Sequence, residues 1–199
     1  MLLASGTGIL APMDRLWTPW RYEYVTSAEK TPRQGVPKAL EAWPGDCHCV
    51  FCNMIAAVEF AVAGGMAPEE AERAAGILLR GPRTFLVLNA YPYSSGHLMV
   101  VPYLHESSLA ALDVATTHEL IETAQRVERV LGAVYSPHGF NIGMNLGKAA
   151  GAGVEMHLHL HALPRWLGDT NFMTTVGETR VLPETLDVTW ARLRGALGS

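Results

Sequence analysis

Short apolar runs bounded by turn residues recur along the chain, and one long stretch switches to a helical period. Ile77 to Arg80 and Thr84 to Leu88, separated by Gly81-Pro82, read as the arms of a hairpin. His97 to Pro102 reads as a third strand, following the turn residues Pro92 to Gly96. The spacing then changes: Leu120, Ile121, Ala124, Val127, Leu131 and Val134 form the stripe of an amphipathic helix, opened by the capping-box pair Thr116 and Glu119. Phe140 to Leu146 gives a fourth strand, Gly147 to Gly153 a small-residue loop, and Met156 to Leu163 a fifth strand. Proline and acids followed by alanines at Pro68 to Ala75 predict a short helix, and Thr185 to Leu197 a terminal one entered at Pro183. Residues 14 to 26, with Trp17, Trp20, Tyr22 and Tyr24, read as an aromatic arm that packs on the domain or on a second subunit, and Lys30 to Lys38 as a surface loop. The order of elements favours an α+β fold with an antiparallel sheet of about five strands. We divide the chain into an N-terminal arm and loop, 1–46, and a single domain, 47–199.

Composition narrows the function classes. At 199 residues, 49% hydrophobic and 17% charged, the chain can bury a sizeable core. A net charge of -4 argues against a protein that holds nucleic acid by bulk electrostatics. The sequence has no apolar run of the roughly 18 residues that a bilayer demands, so no membrane partner is expected. The apolar opening lacks a basic region ahead of it and is not expected to be a signal peptide, and Met13 is an alternative start. Cys47, Cys49 and Cys52 are crowded into six residues, which fits a metal site in a reducing cytoplasm better than a disulfide framework.

The fifth strand carries the chemistry. In His157-Leu158-His159-Leu160-His161 an extended backbone aims three imidazoles at one face, about 6.5 to 7 Å apart, while the leucines face the other. Such a row implies a metal, a phosphate or both. Cys49-Val50-Phe51-Cys52 has the spacing of half a tetrahedral zinc site, with His105 and His157 as partners for a closed structural centre. A redox pair, or simply buried thiols, is the alternative for these cysteines, and Cys47 is an alternative ligand. Just before the histidines, Asn145, Gly147, Gly151 and Gly153 form a loop whose small residues would let backbone N–H groups approach a phosphate.

With these residues in hand, the chain resembles the histidine triad (HIT) superfamily, whose pattern of His-apolar-His-apolar-His followed by two apolar residues His157 to Leu163 matches. The likeness extends to Cys49 and Cys52, Asn89, Gly96-His97, His105, Asn145, Gly147 and Pro164-Arg165. It is strongest to the diadenosine tetraphosphate phosphorylase branch, through Leu16 to Pro19, Leu88 to Tyr93, Gly139 to Asn141 and Asp169 to Phe172. The resemblance implies a HIT-like fold and nucleotidyl transfer at an α-phosphate. His159 would be the nucleophile, with His161 and His97 around the phosphate. Asn89 would meet the ribose and Asn145 the phosphate, and His157 would go to zinc. Water or inorganic phosphate would resolve a nucleotidyl-histidine, and relatives are homodimers.

One departure stands out. Where many relatives carry Gln, Ser or Thr before the triad, this chain has Gly151-Ala152-Gly153-Val154-Glu155, leaving backbone N–H groups, Lys148 or Arg165 to hold the phosphate. The expected function is cleavage of dinucleoside polyphosphates by phosphorolysis or hydrolysis. A nucleoside phosphoramidase or nucleotidylyl transferase is the alternative within enzymes, and a zinc-stabilised nucleotide-binding protein with little catalysis is the alternative outside them.

Overall fold

The computed structural model describes residues 33–169 and 184–198. The aromatic arm and Asn171-Phe172 lie outside them. Among the described residues five strands form one antiparallel sheet: β1 (Ile77–Arg80), β2 (Thr84–Leu88), β3 (Leu98–Pro102), β4 (Gly139–Met144) and β5 (Leu160–Arg165), in the order β1-β2-β3-β5-β4. Four helices accompany it: α1 (Val50–Ala63), α2 (Pro68–Ala74), α3 (Val114–Tyr135) and α4 (Leu186–Gly198).

Each face of the sheet has its own core. On one, Leu120, Ala124, Val127 and Leu131 of α3, with Trp190, Leu193 and Leu197 of α4, cover Leu86, Leu98, Val100, Leu160 and Ala162. On the other, Phe51, Ala57 and Val58 of α1 and Ala71 of α2 cover Ile77, Phe85, Val87, Met99 and Val101. Register settles which face the histidines join. Val87 stands opposite Met99, and Met99 opposite His161, so His161 belongs to the α1 face. Leu158 and Leu160 are buried on the α3 face, each contributing about 1.5–3 kcal/mol of burial. That burial anchors the backbone from which the imidazoles project.

Two expectations are corrected, and the loop before the histidines gains a detail. The strand bearing the histidines is Leu160–Arg165 rather than Met156 to Leu163, because His157 to His159 are held from outside the ladder: Leu158 N–H donates to the Glu106 carbonyl (2.6 Å). The loop Gly147 to Gly153 contains a 3-10 turn, Lys148–Ala150. The long helix is not opened by a Thr116–Glu119 capping box. Asp113 is its N-cap, accepting from Thr116 N–H (2.8 Å), and Glu119 is used elsewhere. Its carboxylate accepts from Arg83 N–H (3.0 Å), Thr84 N–H (2.8 Å) and the Thr84 hydroxyl (2.9 Å), pinning the β1–β2 turn to α3.

Helix α1 had no separate signal in the hydrophobic pattern. Its sequence, Val-Phe-Cys-Asn-Met-Ile-Ala-Ala-Val-Glu-Phe-Ala-Val-Ala, is apolar nearly all round, so no stripe marks it. The region that follows it is as expected, with Pro68 in the first turn of α2.

Glu119→Ala strands the Thr84 N–H and hydroxyl, and should lower stability by about 1–3 kcal/mol. Urea unfolding checks this; a loss no greater than that of an ordinary surface substitution would remove Glu119 from the role of pinning this turn.

Candidate metal centre and histidine site

Two clusters meet at His157. Cys49 is the N-cap of α1 and Cys52 sits in its first turn, so both sulfurs face the strand ends. The strand ends supply the other two ligands. Cys49 Sγ lies 3.2 Å from His157 Nδ1, Cys52 Sγ 3.2 Å from His105 Nδ1 and 3.7 Å from His157 Nδ1. All four ligand atoms fall within 4.8 Å of one another. A tetrahedral centre with ordinary metal–sulfur and metal–nitrogen bonds places its ligand atoms about 3.3–3.8 Å apart, so these residues fit one.

Hydrogen bonding prepares the ligands for this. His157 Nε2–H donates to the Pro102 carbonyl (2.9 Å), which leaves the Nδ1 lone pair directed at the sulfurs. Burial holds the His157 imidazole neutral, its pKa down at about 4. Burial and then the neighbouring Cys49 sulfur push the Cys52 thiol up to about 12. A thiolate at Cys52 is disfavoured here without a compensating cation, and a divalent metal would supply one.

The second cluster is the nucleophile candidate and its neighbours. His159 donates from Nδ1 to the His157 carbonyl (2.8 Å), so the Nε2 nitrogen carries the lone pair. Phe51 packs against both rings, at 5.2 Å from His157 and 5.2 Å from His159. His161 lies beside His159 with ring centroids 4.8 Å apart. Its tautomer follows from a chain of bonds. Tyr93 N–H donates to His97 Nδ1 (3.1 Å), so His97 carries its proton on Nε2 and gives it to His161 Nδ1 (3.0 Å). His161 therefore holds its own proton on Nε2.

His159 and His161 face a cavity of about 960 Å³, which also takes in Asn89, Gly153, Phe51 and Gln34. This lies at the upper end of volumes that bind small ligands. The structure thus gathers Cys49, Cys52, His105 and His157 into one group, and His97, His159, His161 and Asn89 into another. Asn89 Nδ2 is 3.4 Å from His97 Nε2, and its Oδ1 accepts from Tyr91 N–H (2.9 Å).

The remaining expected residues are placed differently. Asn145, Gly147 and Gly151 stand in the loop between β4 and the histidines, outside the cavity lining. Gly147 (φ 80°) and Gly151 (φ 85°) have open space where a Cβ would be, so glycine serves the backbone turn rather than a close approach. Arg165 is at the far end of β5, where Asp169 and Asn141 engage its guanidinium. It is not brought to the triad. Glu155 is exposed. Three contributors escaped the sequence reading: Phe51, the Pro102 carbonyl and the Tyr93 amide. Phe51 had a signal in its place between the two cysteines; backbone groups leave none.

Comparison with known proteins agrees with this geometry. Residues 70–166 match the HIT domain. The AP-4-A phosphorylase of Mycobacterium tuberculosis is 37% identical over 194 residues, spanning 94% of this chain and 89% of that protein. A Zn-bound histidine triad family protein from Mycobacterium smegmatis superposes with a TM-score of 0.55 at 28% identity, covering 75% of this chain and 93% of that one. A hypothetical histidine triad nucleotide-binding protein from Sulfolobus tokodaii gives 0.56 at 23% identity, covering 75% and 92%, and shows the shared fold. A row of histidines on one sheet face, a Cys2His2 group at its head and kinship over nearly the whole length lead to one conclusion: this chain belongs to the HIT domain family.

Proposed function

We propose that the protein is an enzyme that cleaves dinucleoside polyphosphates such as diadenosine tetraphosphate at the α-phosphate, by phosphorolysis or hydrolysis. One observation carries this reading: His159, its Nδ1–H fixed on the His157 carbonyl, presents Nε2 at a nucleotide-sized cavity beside a second histidine that holds a proton. Kinship to the AP-4-A phosphorylase supports the substrate class.

In the proposed mechanism, Nε2 of His159 attacks the α-phosphorus in line, forming an N–P bond as the P–O bond to the leaving polyphosphate breaks. The carbonyl behind Nδ1 stabilises the positive charge that develops on the ring. His161 donates a hydrogen bond from its Nε2–H to the phosphoryl or leaving-group oxygens and keeps that proton, and His97 holds His161 in that tautomer. Water or inorganic phosphate then attacks the nucleotidyl-imidazole, releasing a nucleoside monophosphate or diphosphate and restoring neutral His159. Asn89, at the same cavity, is suited to a ribose hydroxyl.

The metal in this reading is zinc, held by Cys49, Cys52, His105 and His157 with no open position, so its contribution is structural. The Zn-bound relative supports the assignment. Thiolate ligands suit a reducing compartment, and a cytoplasmic location follows from the same reading. Among the described residues no helix is long and apolar enough to cross a membrane. A homodimer through β4 is also part of the proposal. That strand ends the sheet and exposes Ile142, and Leu146 and Met156 beyond it are exposed too.

His159→Ala should lose turnover of diadenosine tetraphosphate by at least about a thousandfold and form no acid-labile nucleotidyl-protein, with zinc content unchanged. Full activity in that variant, measured by product chromatography with and without phosphate, would remove His159 from the mechanism. Metal analysis should find one zinc per chain, and Cys52→Ser should lose most of it together with thermal stability. The metal-free protein should lose stability as pH falls from 6.5 towards about 4. In that window the unfolded chain binds the His157 proton and the folded one does not; below it the contribution is exhausted. Denaturant midpoints across pH 3.5–7.5 test the sign, and a rise in stability on acidification would contradict it.

A further inference from the structure

The tautomer of His161 depends on a short turn, residues 92–96, because the Tyr93 N–H in that turn is what places the His97 proton on Nε2. Ser94 ties the turn to β5: its hydroxyl donates to the Pro164 carbonyl (3.1 Å), and His97 N–H donates back to the Ser94 carbonyl (3.2 Å). The turn also runs close against α3. Gly96, at φ 78°, would place a Cβ 2.9 Å from the Tyr135 ring, so a side chain there would push the ring aside. The Tyr135 hydroxyl donates to Glu184, which stands just ahead of α4 and outside the residues 70–166 of the HIT domain match. The same Glu184 oxygen accepts from the Thr189 hydroxyl (2.9 Å), and the other accepts from Arg192 Nη1 (2.7 Å).

Between the turn and this carboxylate lies a cavity of about 10 Å³, with Ser95, His97, Glu184 and Thr189 in its lining. Ser95 is 8% exposed, and its hydroxyl is buried with no hydrogen-bond partner among the described residues. A hydroxyl left in that condition costs about as much as a lost hydrogen bond, and native folds seldom keep one. The cavity around it has about the volume of a single water, which is stable where two to four polar groups receive it. Ser95, Glu184 and Thr189 bring a carboxylate and two hydroxyls to the same small space.

Building on the enzyme reading above, we propose that Ser95 and Glu184 hold one ordered water between them, and that this bridge makes both of them positioning residues for the His97–His161 pair. The Ser95 hydroxyl donates to the water, and the water donates to Glu184 or to the Thr189 hydroxyl oxygen. The bridge pins the turn to α4, as Ser94 pins it to β5. With both ties in place, the Tyr93 amide stays on His97 Nδ1. Without the α4 tie the amide drifts, and His97 gains access to the tautomer with its proton on Nδ1. His161 Nδ1 then loses its donor, and nothing fixes the His161 proton on Nε2. Neither Ser95 nor Glu184 touches substrate in this arrangement, so the effect falls on turnover and not on affinity.

The test combines a crystallographic density map, imidazole proton–nitrogen correlation spectra and kinetics on the full chain. The map should show a water within hydrogen-bond distance of Ser95 Oγ and of Glu184 or Thr189. Ser95→Ala should lower kcat for diadenosine tetraphosphate about fivefold and leave KM within about twofold, the size of one lost hydrogen bond. In the same variant the spectra should show His97 and His161 passing from single tautomers to mixtures, and Ser95→Thr, which keeps the hydroxyl, should restore both readouts. Glu184→Ala should shift the same tautomers, and adding Ser95→Ala to it should bring little further loss, since the two residues act through one water. A map without that water, together with a Ser95→Ala protein that melts at or above the wild-type temperature, would overturn the bridge, because removing an unsatisfied buried hydroxyl stabilises. Unchanged tautomers in Ser95→Ala, or full additivity in the double variant, would overturn the positioning role whatever happens to stability. A wild type that shows the water and the tautomer shifts but cleaves no dinucleoside polyphosphate would overturn the enzyme reading alone.

Discussion

His157 is held at three points, and the rest of the site depends on them. Its Nδ1 faces Cys49 and Cys52, its Nε2–H is bonded to the Pro102 carbonyl, and its own carbonyl receives the Nδ1–H of His159. The residue that completes the metal group therefore also sets the tautomer of its neighbour but one. Loss of either anchor would let the backbone at His157 rotate and take the His159 hydrogen bond with it. The candidate metal group and the nucleophile candidate are in this way one mechanical unit.

The sheet gives that unit its rigidity. Leu158 and Leu160 are buried under α3, so the chain cannot slip by one residue without exposing them and driving imidazoles into an apolar core. The opposite face is closed by α1, and the same helix brings the two cysteines and Phe51 to the histidines. Packing and chemistry are thus divided between the two sides of one strand. His161 illustrates the division: it lies in register with Met99 and Val87 of the α1-face core, yet it meets the cavity because it stands where that core opens.

Much of this was legible in the chain. The hairpin arms Ile77–Arg80 and Thr84–Leu88 have the expected bounds, because a turn signal separates two runs of the right length. The stripe of α3 was equally plain. The opening of α3 was misread because Glu119 satisfies the capping pattern locally, while a better use for its carboxylate lies in the β1–β2 turn, far away in sequence. Helix α1 left no stripe because apolar residues such as Phe60 stand on its exposed side as well as on the buried side that carries Phe51, Ala57 and Val58. Arg165 is expected at the phosphate because polar residues are missing before the triad, but the extended strand Leu160–Arg165 carries it to the other end of the sheet.

By itself, the sequence determined the alternation of His157, His159 and His161 and the pairing of Cys49 with Cys52, since period and spacing are local properties of the backbone. Membership of the group His105 and His157 share with the cysteines was an inference from ligand number; the fold brings the four atoms together across more than a hundred residues. Only tertiary structure decided which carbonyl orients His159, which amide sets the tautomer of His97, and how residues 34–37 close the cavity. For the contacts that set His159 and His97 the physical reason is the same. These contacts are made by backbone groups that every residue possesses, so no side-chain pattern announces them, and only the folded path of the chain selects which ones meet.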